Sequence, residues 1–319
     1  MVYTVTFNPA VDYCIHIEDM RMGKVNRSKG EEIYFGGKGI NVSVVLKELG
    51  IRSKALGFVA GFTGRAIEQG LQDGGIETDF IHLEQGFSRI NVKIKSSLET
   101  DLNGQGPEIP AGKLDELFVM LDEIRDGDTM ILSGSIPSSL PADIYEKVLG
   151  RLEGRRVRAV VDAAGELLLN VLKYKPFLVK PNNHELGEIF GVKLDTTEKI
   201  VDYAGRLKSM GAVNVLVSRA GDGAVLVDER GEVHICGVCS GTVRNSVGAG
   251  DSMVAGFVAG CEGVRADGRD VSAAGESAAS AGCDYGYALR LGTAAGGATA
   301  FSDGLANRED IFRLLKQLA

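Results

Sequence analysis

Residues 245–252 read N-S-V-G-A-G-D-S and are followed at once by M-V-A-G-F-V-A-G. Glycines let successive amide N–H groups turn toward one spot, and a helix N-terminus adds the positive end of its dipole. Such a place suits an anion, including a phosphoryl group in transfer. Asp251 beside it would take a proton from an attacking hydroxyl. The same aspartate is well suited to cap the helix, and on these residues alone the cap is the plainer reading. The stretch is no P-loop, because the lysine of G-x-x-x-x-G-K-[ST] is missing.

A second glycine cluster, Gly36-Gly37-Lys38-Gly39-Ile40-Asn41, opens the apolar run N-V-S-V-V-L-K-E-L-G. A lysine at a helix N-terminus is unfavourable for the helix itself. An anionic or polyhydroxylated ligand would compensate; a turn with an exposed lysine is the plainer reading. The pattern is not G-x-G-x-x-G, which speaks against a nicotinamide dehydrogenase.

The elements that must position these turns follow from periodicity. V-Y-T-V-T-F, S-K-A-L-G-F-V, D-T-M-I-L-S-G, R-A-V-V-D, F-L-V-K, V-N-V-L-V-S and G-A-V-L-V-D read as strands. Amphipathic segments at Asn41–Leu49, Thr63–Asp73, Ala142–Leu152, Asn183–Phe190 and Thr197–Met210 lie between most of them. The alternation predicts a mostly parallel sheet covered on both faces, with ligands beyond the carboxyl ends of its strands. Asp12–Phe35 and Ser88–Leu102 instead alternate with period two and lead into no helix directly. They predict a small antiparallel sheet set apart from the main one, a possible lid. Ser272–Gly282, rich in Ala, Ser and Gly, reads as a loop or frayed helix.

Composition narrows the classes. A net charge of −8 argues against a nucleic-acid binder, although local Lys and Arg still permit a phosphorylated small molecule. No apolar run is long enough to span a membrane, and the N-terminus lacks the basic start of a signal peptide. Cys14, Cys236, Cys239, Cys261 and Cys283 form an odd, scattered set, which points to a reducing, cytoplasmic setting. Cys236 and Cys239 form a lone C-x-x-C with no second pair at zinc spacing. The four histidines form no nucleophile or metal constellation.

Taken together, T-V-T-F-N-P-A-V-D-Y (4–13), F-G-G-K-G-I-N-V (35–42), R-I-N-V-K-I-K (89–95), L-S-G-S-I-P (132–137), V-K-P-N-N-H-E-L (179–186) and N-S-V-G-A-G-D-S (245–252) resemble the ribokinase-like sugar kinases. Within them the chain is similar to the phosphofructokinase B branch, on the side of the 1-phosphofructokinases and tagatose-6-phosphate kinases. The resemblance spans nearly the whole chain. It implies a three-layer α/β/α fold over residues 1–319, with a small β-sheet lid from about 12–35 and 88–103 inserted in it.

The resemblance also implies roles. Asp251 matches the base, and Val247, Gly248, Ala249 and Gly250 match the anion hole. Asp12, Gly37, Lys38, Asn41 and Asn91 match groups that grip the sugar. Arg89 and Lys38, then Arg27, are the cations for its phosphate, with Ser135 and Ser133 nearby. Lys180, Asn182 and Glu185 match the ATP-phosphate and Mg²⁺ end, where Glu185 would act through water; Asp162 resembles a polar position near it. Ser218, Gly221, Gly223 and Gly297 match positions bordering the nucleotide. The family pattern has glycine where this chain has Ala220. The implied reaction is ATP- and Mg²⁺-dependent phosphorylation of fructose 1-phosphate, with tagatose 6-phosphate as the alternative acceptor. A non-catalytic sugar-phosphate sensor is the reading from another class. A homodimer is expected, because an uncovered lid sheet would expose apolar residues.

Overall fold

The structure, a computed structural model, describes residues 1–265 and 283–318; the expectation for Ser272–Gly282 lies outside the described residues. Nine strands form the main sheet. In chain order they are β1 (Val2–Thr6), β4 (Ser53–Ala60), β5 (Glu77–Leu83), β8 (Thr129–Ser133), β9 (Arg158–Asp162), β10 (Leu178–Val179), β11 (Asn214–Ser218), β12 (Ala224–Val227) and β13 (Val233–Cys236). Their spatial order is β13-β12-β11-β10-β9-β8-β1-β4-β5. Every pairing from β11 to β5 is parallel; β12 and β13 are added antiparallel.

The central strands are buried on both faces, and alternate residues feed different cores. Met130, Leu132, Val161, Val215 and Val217 join one cluster, while Ile131, Val160 and Leu216 join the other. This is why these strands read as continuous apolar runs rather than alternating ones. Helices α3 (Ala111–Leu121), α4 (Ile144–Leu152), α5 (Gly165–Val171), α6 (Asn183–Phe190) and α7 (Thr197–Ser209) cover the first face. Helices α1 (Lys38–Glu48), α8 (Ala249–Cys261), α9 (Tyr285–Ala300) and α10 (Arg308–Leu315) cover the second. Helix α2 (Gly61–Asp73) packs on β4 and β5 with a third cluster around Val59, Ile67 and Phe80.

The second sheet has four strands, β2 (Ala10–His16), β3 (Gly30–Gly36), β6 (Arg89–Lys95) and β7 (Thr100–Asn103), in the order β3-β2-β6-β7. It is mixed, not purely antiparallel: β2 and β6 run parallel. The chain enters β2 straight from β1 and enters β6 after β5, and β1 and β5 belong to one parallel series. Both strands therefore leave the main sheet in the same sense.

The cysteine expectation needs one correction. Cys261, the last residue of α8, is disulfide-bonded to Cys283, with Cα atoms 4.8 Å apart. Helices α8 and α9 lie side by side, which brings together positions that looked scattered in the chain. Cys14, Cys236 and Cys239 are free and buried. No helix among the described residues is long and apolar enough to cross a membrane.

Candidate active site

The carboxyl ends of the parallel strands present Thr6, Ser133, Asp162, Lys180 and Ser218 on one rim of the sheet, as the doubly wound topology requires. Helices α1 and α8 point their N-termini at the same rim. The first is held by Thr6, whose Oγ1 accepts from the Ile40 amide at 3.1 Å. Gly37 has φ 128°, and a Cβ there would lie 2.5 Å from Thr6 Cγ2, so only glycine permits the turn. Gly248 plays the corresponding part for α8. It is the N-cap residue at φ 80°, and a Cβ would meet Leu305 at 2.6 Å.

Asp251 is therefore not the cap. It lies in the first turn of α8, 5% exposed, and its Oδ2 accepts from Asn41 Nδ2 at 2.8 Å. Burial, then the Asp162 carboxylate, push its pKa up to about 6 against the opposing pull of Asn41, Lys38 and Lys180. In the turn before it, the Val247 amide donates to Asn245 Oδ1 and the Ala249 amide to the Ser246 carbonyl. The Gly248, Gly250 and Asp251 amides make no hydrogen bond to any described residue, so these three are the donors left for a ligand.

Asp162 is 3% exposed and bridges Lys38 Nζ at 3.2 Å and Lys180 Nζ at 3.1 Å. Burial alone would raise its pKa, but the two ammonium groups outweigh that and hold it below the usual carboxylate range. Burial also works against the Lys38 ammonium; Asp162 and Asp251 outweigh it and raise its pKa.

A cavity of about 460 Å³ opens beside this cluster. Gly37, Lys38, Arg89 and Ser135 line it, together with Asn8 and Ser133. Arg89 donates from Nε to the Asn8 carbonyl at 3.1 Å, leaving its terminal nitrogens for other partners. Ser133 Oγ is buried with no hydrogen-bond partner among the described residues, a polar group placed where a ligand would satisfy it. Sequence reasoning passed over Thr6 and Asn8; the polar T-F-N-P stretch after an apolar strand was the available signal.

Asp12, Asn41 and Val247 line a different, larger groove of about 790 Å³, on the other side of the Gly36–Gly37 turn. Asp12 accepts from Asn91 Nδ2 at 2.8 Å, and the Gly104 amide in turn donates to Asn91 Oδ1. The residues expected to grip the sugar thus fall in two neighbouring spaces. Arg27 is exposed in the connection between β2 and β3 and lines neither.

The remaining positions gather at the ends of β10 and β11. Asn182 caps α6: its Oδ1 accepts from the His184 and Glu185 amides, and Glu185 Oε2 accepts from the Asn182 amide at 2.8 Å. This capping box occupies one Glu185 oxygen. Ser218 bridges to Asn182, and the turn after it carries Ala220 at φ 46°, the left-handed region that a glycine would occupy without strain. Gly221 is exposed and Gly223 buried. Gly297 faces Cys239 and Leu314 across a helix contact.

A family model described as pfkB family carbohydrate kinase matches residues 5–310. The 1-phosphofructokinase of Bacillus subtilis is 45% identical over 318 residues, covering 100% of this chain and 98% of that protein. The D-tagatose-1-phosphate kinase of Bacillus licheniformis is 36% identical, covering 100% and 98%. Phosphofructokinase-2 of Escherichia coli, solved with substrates and products, superposes with a TM-score of 0.87 over 99% of both chains at 23% identity, a likeness of fold. The ribokinase-like architecture expected from the motifs is the one found. The chain belongs to the pfkB family of carbohydrate kinases.

Proposed function

We propose that this chain transfers the γ-phosphoryl group of ATP to the C6 hydroxyl of D-fructose 1-phosphate, giving D-fructose 1,6-bisphosphate and ADP. The observation that carries the reading is the buried Asp251 at the head of α8, next to two free glycine amides and two lysines. The full-length 1-phosphofructokinase relative names the acceptor.

In this reading the C6 oxygen attacks the γ-phosphorus, its bond to the β–γ bridging oxygen breaks, and the hydroxyl proton passes to Asp251. The Gly248 and Gly250 amides take the charge of the transferring group. Arg89 and Lys38, with Ser133 and Ser135, hold the acceptor's phosphate. Asp12, Asn41 and Asn91 fix the hydroxyls, and Lys180, Asn182, Ser218, Gly221 and Gly223 border the nucleotide. Mg²⁺ would shield the ATP phosphates, and Glu185 suits it through water, because one of its oxygens caps α6 and the other is left over.

The small sheet acts as a lid in this reading, and a homodimer forms through it. The register aligns Ile33, Tyr13, Val92 and Leu102 in one apolar row across all four strands, with Ile33 60% and Leu102 57% exposed. A cytoplasmic location completes the proposal; the three free thiols favour it, and the Cys261–Cys283 disulfide, a bond rare in that compartment, does not. The second reading is a tagatose phosphate as acceptor, and the relative at 36% identity favours its 1-phosphate over the 6-phosphate. Asp251→Asn tests the mechanism: turnover should fall by about 10² to 10⁴ with the fold intact. Wild-type rates in that variant would remove the base.

A further inference from the structure

Asp162 ends β9 at the floor of the site, and each of its oxygens is paired with a different lysine. The two lysines come from opposite directions. Lys38 is the first residue of α1 and lines the cavity that holds Arg89. Lys180 follows β10, and a methyl group added to Gly250 would lie 3.3 Å from its Nζ, so this ammonium sits against the turn that heads α8. A carboxylate this buried is costly unless paired. It is also a negative charge inside a site for two anions, so substrate attraction alone does not explain it.

We propose that Asp162 is a positioning residue for phosphoryl transfer, pinning Lys38 on the acceptor side and Lys180 on the nucleotide side of the reacting group. This inference rests on the kinase reading above. Lysine is a point charge on a flexible stem, and a pinned ammonium contributes more to a transition state than a mobile one. Asp162 also faces the base: the charged groups around Asp251 are Asp162, Lys38 and Lys180, with Asn41 donating to it.

Removal of the charge therefore has a signature that general damage lacks. Asp162→Asn leaves two unneutralised lysines, so binding of both anions should hold or tighten while kcat falls, a split opposite to that of a disrupted site. The acid limb of the kcat profile should move to lower pH, since a repelling carboxylate is gone and two cations remain. Asp162→Glu keeps the charge but displaces the lysines; its kcat should fall with the acid limb in place.

The experiment is steady-state kinetics across pH for both variants and for Lys180→Met singly and combined with Asp162→Asn, with Mg-ATP binding by calorimetry. The expected results are a kcat loss of about tenfold or more in Asp162→Asn, Mg-ATP affinity equal or higher, and losses in the double variant smaller than the product of the singles. Unchanged kcat, weakened Mg-ATP binding, multiplicative losses or an unmoved acid limb in Asp162→Asn would each overturn the proposal. A wild type that phosphorylates no ketose phosphate would overturn the acceptor assignment instead. The calorimetric comparison would still decide on Asp162; if Asp162→Glu alone folds, a wild-type kcat in that variant would overturn the proposal.

Discussion

Asp251 shows how one residue ties activity to stability. Its carboxyl is raised to about 6 by burial and by Asp162, above its unfolded value, so the fold favours the protonated form. The cost of holding it ionised is absent below about pH 4, grows through pH 6 and is complete above it. In the proposed mechanism Asp251 acts in its ionised form, so kcat/KM should fall on acidification with an apparent midpoint near that value; a flat profile from pH 5 to 8 would contradict this. Asp251→Asn removes the cost, and should raise stability at neutral pH by on the order of 2 kcal/mol while turnover falls by about 10² to 10⁴. A lower Tm for the variant would count against the burial argument. Arg89→Ala should act differently, raising KM for the sugar phosphate at least about tenfold with a smaller effect on kcat; an unchanged KM would move the phosphate elsewhere. Asp251 and its glycines were legible because they are neighbours in sequence. The bond from Asn41, 210 residues away, and the orphaned Ser133 hydroxyl were not, since nothing local encodes them.

At the scale of elements, the site depends on two helices that start without conventional side-chain caps of their own. Helix α1 takes its cap from Thr6 on β1, which fixes the turn of Gly37 and Lys38 to the central sheet. Gly37→Ala should cost about 1–3 kcal/mol in denaturant unfolding and weaken sugar-phosphate binding with it; a variant of unchanged stability and affinity would show the turn to be more forgiving. The buried parallel strands were legible, since a strand covered on both faces is apolar throughout. β5 was missed: E-T-D-F-I-H-L is an edge strand whose polar residues break any simple period. The mixed pairing of the small sheet was also out of reach, because direction is set by how the chain leaves the main sheet, not by alternation.

The whole molecule brings ends of distant strands and two helix termini to one rim, and its small sheet stands over that rim with an apolar row outward. Ile33→Lys, or Leu102→Lys, should turn a dimer into a monomer in sedimentation without unfolding the main sheet; a wild type that is monomeric at all concentrations would dispose of the dimer. The architecture was legible at this scale from the order of strands and helices. The surface proposed for a partner was legible only as an alternation, until register showed which residues share a face. The central claim, a kinase for a ketose 1-phosphate, is tested most directly by ADP release from Mg-ATP with fructose 1-phosphate, tagatose 1-phosphate, tagatose 6-phosphate, fructose 6-phosphate and free fructose compared under one set of conditions. The account predicts the largest kcat/KM for fructose 1-phosphate, with tagatose 1-phosphate next. A dominant rate with either 6-phosphate or with the free sugar, or no turnover of any of the five, would contradict it.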